Sequence, residues 1–134
     1  MKEISGINHI GIRVMDLDRA RTFYEQLGFV FLVGPVGPEP VAIMEHPSGV
    51  NINLILNANS GVDNNVLMDI PDKHPGYTHM ALEVSDLSAV ETHLKRLGIT
   101  ITEGPIHMPG GGAMLFIRDQ DMNVIEFHMP GSSS

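Results

Sequence analysis

The chain has 134 residues, 43% of them hydrophobic, which is enough for one compact domain with a core. Its formal net charge of −8 at pH 7 argues against nucleic acids and membranes as partners, because both attract basic surfaces. The absence of cysteine excludes disulfides, thiolate zinc sites and cysteine nucleophiles. Because neither a signal peptide nor a membrane-spanning apolar run is evident, we expect a soluble cytoplasmic protein.

The most informative feature of the chain is an internal repeat without a gap. Residues 7–29 align with residues 77–99, and this alignment pairs His9 with His79. Each copy begins with alternating apolar and polar residues, which is typical of a half-buried strand. A histidine at one matched position in both copies suggests a shared site.

A helix is predicted to follow the first strand of each copy. Asp16 and Asp86 are the expected N-caps, and Gly28 and Gly98 are expected to end the helices in a left-handed conformation. The apolar residues between them recur at helical spacing, so each helix is predicted to cover the apolar face of its strands.

Three further strand candidates follow each helix, so the predicted unit is β-α-β-β-β, present twice in an α+β fold. We expect a single domain with module one at about 5–57, a linker at about 58–76, module two at about 77–129 and a tail at 130–134. The strand candidates are 29–33, 41–46 and 50–56 in the first half and 99–102, 113–119 and 123–129 in the second.

Strand alternation places polar residues from both halves on one side of the predicted sheet. Asn53 and Glu126 are repeat mates, as His9 and His79 are. If the units pair about a pseudo-twofold axis, His9, His79 and Glu126 converge as a two-histidine, one-carboxylate site. Such a site would hold one divalent metal ion (Fe(II), Mn, Ni, Co or Zn) and leave open positions for a small-molecule substrate. The alternative is that each is an ordinary exposed polar side chain.

Other residues on the same face are candidates for binding the substrate. Arg13 is a candidate contact for an anionic group, although it could instead form a salt bridge with its repeat mate, Glu83. Asn53 is expected near the metal but at most as a weak or water-mediated ligand. The remaining candidates for the pocket are Asn51, Phe116 and His128.

Three motifs of this chain resemble those of one superfamily. They are H-I-G-I-R-V-x-D-L with F-Y-x-x-L-G-F (9–29), T-H-M-A-L-E-V-x-D-L (78–87) and N-V-I-E-F (123–127). This is the vicinal oxygen chelate superfamily, which includes glyoxalase I, bleomycin-resistance proteins, methylmalonyl-CoA epimerase and extradiol dioxygenases. The resemblance implies two modules whose sheets curl into a cup around a divalent metal, with a substrate chelated through vicinal oxygens. We also expect a homodimer, because curled sheets leave edges that need covering.

The resemblance leaves the reaction open among three classes. Glyoxalase I-like enzymes carry Glu or Gln where this chain has Asn53, so an open triad of the extradiol dioxygenase kind is favoured. By the same resemblance His107 is the candidate acid/base, ahead of Phe116, Asp119 and the catalytic metal ligand Glu126. The alternatives are a glyoxalase-like lyase, isomerase or epimerase that works through an enediolate, and a bleomycin-resistance-like binding protein.

Overall fold

The computed structural model of the protein describes residues 1–59 and 63–132. The chain divides into two units, unit 1 (Met1–Val62) and unit 2 (Asp63–Ser134). Residues 60–62 of the predicted linker and residues 133–134 of the predicted tail lie outside the described residues. Within the described ranges, no helix is long and apolar enough to cross a membrane.

Unit 1 is a four-stranded sheet with one helix. Its elements are β1 (Ile10–Arg13), α1 (Leu17–Gln26), β2 (Val30–Val36), β3 (Val41–Glu45) and β4 (Asn51–Ile55). The strand order is β1-β4-β3-β2. The first strand runs parallel to β4, whereas β3 is antiparallel to both of its neighbours.

Unit 2 repeats this architecture with the elements β5 (His79–Glu83), α2 (Leu87–Leu97), β6 (Ile101–His107), β7 (Ala113–Arg118) and β8 (Val124–Met129). Its strand order is β5-β8-β7-β6, with the same mixture of one parallel and two antiparallel pairings. The predicted α+β fold of two β-α-β-β-β modules is therefore confirmed.

The helix boundaries follow the predicted caps. The carboxylates of Asp16 and Asp86 accept hydrogen bonds from the backbone N–H three residues on, at 2.8 and 3.1 Å. Because the first N–H groups of a helix have no partner within it, each cap stabilises its helix by about 1 kcal/mol. Gly28 and Gly98 have φ of 97° and 72°, the left-handed region that ends a helix.

Each sheet has one covered and one open face. In unit 1, Ile52 and Leu54 of β4 are fully buried, while Asn53 between them is only half-buried. In unit 2, Leu115 and Ile117 of β7 are fully buried on the face covered by α2. Burying one such side chain contributes about 1.5–3 kcal/mol. The alternation therefore fixes which side chains remain on the open face.

The edge strands β2 and β6 are irregular at matching glycines. The strand register shifts twice in each, and the second shift contains Gly34 in β2 and Gly104 in β6. These glycines have φ of 138° and 89°, and a Cβ at Gly34 would lie 2.5 Å from the Cα of Ala42. Only glycine fits there, because any side chain would collide with the neighbouring strand.

Part of the predicted linker is folded against the β7–β8 hairpin within unit 2. The side chain of Asn65 accepts two backbone hydrogen bonds, at 3.0 and 3.2 Å, and donates to the carbonyl of Met122 at 3.1 Å. Arg118 donates two hydrogen bonds to Asp69, at 2.6 and 2.8 Å. These bonds lower the pKa of Asp69 to about 2 and raise that of Arg118.

Candidate metal centre

Glu126 occupies the middle of the open face in unit 2. It lies on the central strand β8, beside Ala81 on β5 and Phe116 on β7. Its side chain is 9% exposed. A carboxylate withdrawn from water is costly unless it is paired and hydrogen-bonded, so the surroundings of Glu126 must supply partners.

Two histidines supply those partners, one for each carboxylate oxygen. His79 Nε2 lies 3.0 Å from Oε1 of Glu126, and His128 Nδ1 lies 2.7 Å from Oε2. Parallel pairing places His79 two residues before Ala81 on the same face of β5. Because Ala81 carries only a methyl group, the imidazole of His79 has room to reach Glu126.

The second ring nitrogen of His79 is bonded to the residue before it. Thr78 Oγ1 lies 2.9 Å from Nδ1 of His79, and the Phe116 ring meets the imidazole edge-on with centroids 5.7 Å apart. In unit 1, His9 Nδ1 likewise lies 2.8 Å from Asn8 Oδ1. Both repeat histidines thus engage Nδ1 locally, so Nε2, which in His79 faces Glu126, is the remaining nitrogen for a metal.

The His79–Glu126 pair fits a divalent metal as two of its ligands. Ligand atoms about 2.1 Å from a common ion, at right angles, are about 3 Å apart, and the observed Nε2 to Oε1 distance is 3.0 Å. A nitrogen and oxygen donor set suits Mn, Fe, Co, Ni and Zn. Over residues 1–59 and 63–132, no group of three or more His, Asp or Glu is placed to hold a metal. The structure therefore brings together two of the three predicted ligands, and the third, His9, belongs to unit 1.

The open face of unit 1 carries Asn51 and Asn53 of the predicted pocket residues, with an asparagine in place of the carboxylate of unit 2. Asn53 lies between Gly11 on β1 and Ile43 on β3, at the position that matches Glu126. Asn51, also half-buried, is on the same face and is paired with Glu45. The two units are therefore alike in backbone and unlike in the chemistry of their open faces.

Arg13 is held by two residues that the sequence does not single out. Its Nε donates to Asn57 Oδ1 at 2.9 Å, and a second nitrogen lies 3.4 Å from Glu39 Oε1. Asn57 also donates to the same Glu39 oxygen at 3.0 Å. Arg13 is more than half exposed, so its guanidinium is accessible as a candidate anion contact. Its alternative pairing with Glu83 stays a prediction.

His107 lies on the other face of the unit 2 sheet from Glu126. It is the last residue of β6 and is paired with Ala113, which shares the covered face with Leu115. Phe116, like Glu126, faces the opposite way because side chains alternate along a strand. The register therefore gives no support to the predicted acid/base role of His107.

Asp119 is a structural residue of the β7–β8 turn. It is 4% exposed, and its Oδ1 accepts hydrogen bonds from the backbone N–H of Asp121 and Asn123 at 2.8 and 2.9 Å. The turn also holds Met122 at φ 67°, which is uncommon for a residue other than glycine. The aspartate of the predicted dioxygenase-like motif thus serves to shape the hairpin that carries Glu126.

Comparison with known proteins shows the family to which the chain belongs. The family model for the glyoxalase/bleomycin resistance protein/dioxygenase superfamily matches residues 6–127, and the chain belongs to that superfamily. Among curated proteins it is similar to metallothiol transferase FosB of Shouchella clausii (strain KSM-K16). The two are 28% identical over 131 residues, which cover 93% of this chain and 80% of the relative.

Solved structures show the same fold. A glyoxylase/bleomycin resistance protein/dioxygenase domain from Frankia sp. EAN1pec has a TM-score of 0.80 at 24% identity, covering 98% of this chain and 96% of that one. A mutant of the fosfomycin resistance protein FosX from Listeria monocytogenes has a TM-score of 0.71 at 18% identity, covering 96% and 94%. That FosX structure is a complex with Mn(II) and 1S,2S-dihydroxypropylphosphonic acid.

Proposed function

We propose that this protein is a divalent-metal-dependent enzyme that holds a small substrate through two neighbouring oxygen atoms. The proposed metal ligands are His9, His79 and Glu126. The observation that carries the proposal is the approach of His79 Nε2 to Glu126 Oε1 at 3.0 Å. It is reinforced by the matching bonds that Asn8 and Thr78 make to Nδ1 of the two histidines.

The residues around the site have separable roles. A bound divalent metal would supply Lewis-acid polarisation of the substrate oxygens. Thr78 fixes the ring of His79, while Phe116 packs against that ring and limits the access of water. Arg13 offers an exposed positive charge to an anionic group on the substrate, which would compete with Glu39 for the guanidinium.

The relatives suggest a reaction class. FosB is named a metallothiol transferase, and the diol bound with Mn(II) in the FosX complex carries two neighbouring oxygens and a phosphonate. We therefore propose addition of a thiol, or of water, to a small epoxide substrate: the new C–S or C–O bond forms as a ring C–O bond breaks, and the released oxygen takes up the proton of the thiol or water. Fosfomycin and related phosphonates are the first compounds to test.

An extradiol-like dioxygenase is the second candidate. Two histidines and one carboxylate form the donor set of many non-haem Fe(II) oxygenases, which favours this candidate. The position of His107, on the face opposite Glu126, weakens it. Fe(II) with catechol-dependent O2 uptake would support the dioxygenase, whereas Mn, Ni, Co or Zn with O2-independent turnover would support the transferase or hydrolase.

The proposal is tested first on metal content and then on turnover. Protein purified without chelator is analysed for bound metals, as wild type, as Glu126→Gln and as the control Glu91→Gln on α2. We expect about one divalent ion per site in the wild type and in the control. Glu126→Gln should bind the ion at least about tenfold more weakly. Fosfomycin with thiols or water, catechols with O2, and 2-oxoaldehyde thiol adducts are then screened by mass spectrometry. A wild-type protein that binds no divalent metal would contradict the proposal and favour a role in small-molecule binding alone.

The oligomeric state belongs to the same proposal. We expect a homodimer, and analytical ultracentrifugation of the full chain measures it directly. A monomer at every concentration at which the enzyme turns over would contradict this expectation.

A further inference from the structure

We propose that His128 is a positioning residue for Glu126, an inference that rests on the proposed metal site. By donating from Nδ1 to Oε2 of Glu126, His128 holds the carboxylate so that Oε1 is the oxygen presented to the metal. This role differs from the direct contact with substrate that the strand pattern predicts for His128.

The division of the carboxylate between two imidazoles supports this role. His128 Nδ1 lies 2.7 Å from Oε2, within the range of charge-assisted hydrogen bonds, while His79 faces Oε1. An ionised carboxylate has only acceptors, so His128 must be the donor. With Oε2 engaged in this way, Oε1, which faces His79 Nε2, is the oxygen of Glu126 left for a metal.

The neighbours of His128 on the open face cannot replace this donor. The register places His128 between Glu83 on β5 and Met114 on β7. A carboxylate accepts hydrogen bonds and a thioether is a weak acceptor, so neither side chain can donate to Glu126. Loss of His128 therefore leaves Oε2 without this bond, and no adjacent side chain compensates.

The repeat shows that the fold does not require a histidine at this position. The residue of β4 that corresponds to His128 is Ile55, two positions after Asn53, just as His128 comes two positions after Glu126. An aliphatic side chain thus occupies the corresponding position of the sheet in unit 1. The histidine accompanies the carboxylate, which indicates a role in the chemistry of Glu126.

The test compares His128→Leu with His128→Asn in the full chain. Leucine removes the donor, whereas the side-chain nitrogen of asparagine can occupy the place of Nδ1. Mn(II) affinity is measured by calorimetry, and the Mn(II) environment by electron paramagnetic resonance. We expect His128→Leu to bind Mn(II) about 10–100-fold more weakly, the usual effect of losing an outer hydrogen-bond partner of a ligand. His128→Asn should stay within about threefold of wild type.

Two results would overturn this inference. Wild-type affinity in His128→Leu would show that the bond to Glu126 does not matter, and a loss in His128→Asn equal to that in His79→Ala would make His128 a direct ligand. Glu126→Gln, measured in parallel, distinguishes a failure of the proposed metal site from a failure of the role proposed for His128. If that variant binds Mn(II) like wild type, the proposed metal site itself is wrong. If His128→Leu does not fold, His128→Gln replaces it in the test. The amide nitrogen of glutamine lies one methylene further from the backbone than Nδ1 of His128 and so does not occupy the place of Nδ1.

Discussion

Replacing His79 by alanine tests the core of the site, because one change has two separable effects. In the metal-free protein it removes the hydrogen bond between Nε2 and the buried carboxylate of Glu126. Such bonds to charged groups contribute about 1.5–3 kcal/mol. Since the His79 side chain is 31% exposed, water can replace part of the interaction, and we expect a loss of about 1 kcal/mol, or about 3–4 °C in Tm.

The effect on metal binding should be larger. Structural zinc sites with four ligands bind with about 10–16 kcal/mol, which averages about 3 kcal/mol per ligand. Loss of one ligand therefore corresponds to a fall of about 100-fold in affinity. The bond between Thr78 Oγ1 and Nδ1 contributes to presenting Nε2, so Thr78→Val should show the same effect at a smaller size.

The assay is Mn(II) titration by calorimetry at pH 7 together with thermal unfolding with and without a chelator. The control is His74→Ala, which removes an exposed histidine whose Nε2 lies 3.6 Å from Oδ2 of Asp72. His79→Ala with unchanged Mn(II) affinity would refute the assignment of His79. A fall in Tm far above 4 °C, with no stabilisation by metal in the wild type, would show that the histidine serves the fold instead.

Three further predictions follow from other parts of the molecule. If the site is shared between chains, mixing His9→Ala protein with His79→Ala protein should restore about a quarter of the wild-type sites after random exchange of chains. The recovery is measured as bound Mn(II). An absence of recovery would place the site within one chain. Because the Arg118 hydrogen bonds lower the pKa of Asp69 from 3.8 to about 2, this pair should stabilise the fold above pH 4 and cease to do so as the pH falls from 3.8 through 2. Asp69→Asn should flatten the dependence of Tm on pH in that window, and an unaltered slope would contradict the pairing. Met122→Gly should raise stability by about 0.5 kcal/mol, because it relieves a left-handed residue, and a lower Tm in calorimetry would count against that explanation.

The fold could be predicted from the sequence because two kinds of local signal agree with the repeat. The N-caps at Asp16 and Asp86 and the left-handed glycines at Gly28 and Gly98 fix the helix ends by local chemistry. Strand alternation then fixes the covered face, which is why Glu126 was expected on the open side of its sheet. These features depend on neighbours within a few residues, so a single sequence contains them.

Other features depend on contacts between distant residues and could not be predicted. The role expected for His107 finds no support because β6 extends as far as His107 and pairs it with Ala113 on the covered face, and this cross-strand pairing depends on residues distant in the sequence. The contact of Arg13 with Glu39 joins residues that are 26 positions apart in the sequence, and the local pattern around neither residue predicts it. By contrast, the bonds of Asn8 and Thr78 to the following histidines had a signal, a hydrogen-bonding side chain before His in both repeats.

The irregular edges of the two sheets also bear on self-association. In each unit the outer strand, β2 or β6, is bent at a glycine where its register with the neighbouring strand shifts. A foreign strand that approaches this edge meets an interrupted row of amide and carbonyl groups and cannot extend the sheet in register. The opposite edges, β1 and β5, are only four and five residues long. Each sheet therefore offers a poor template for amyloid-like growth, although both β2 and β6 carry exposed aliphatic side chains.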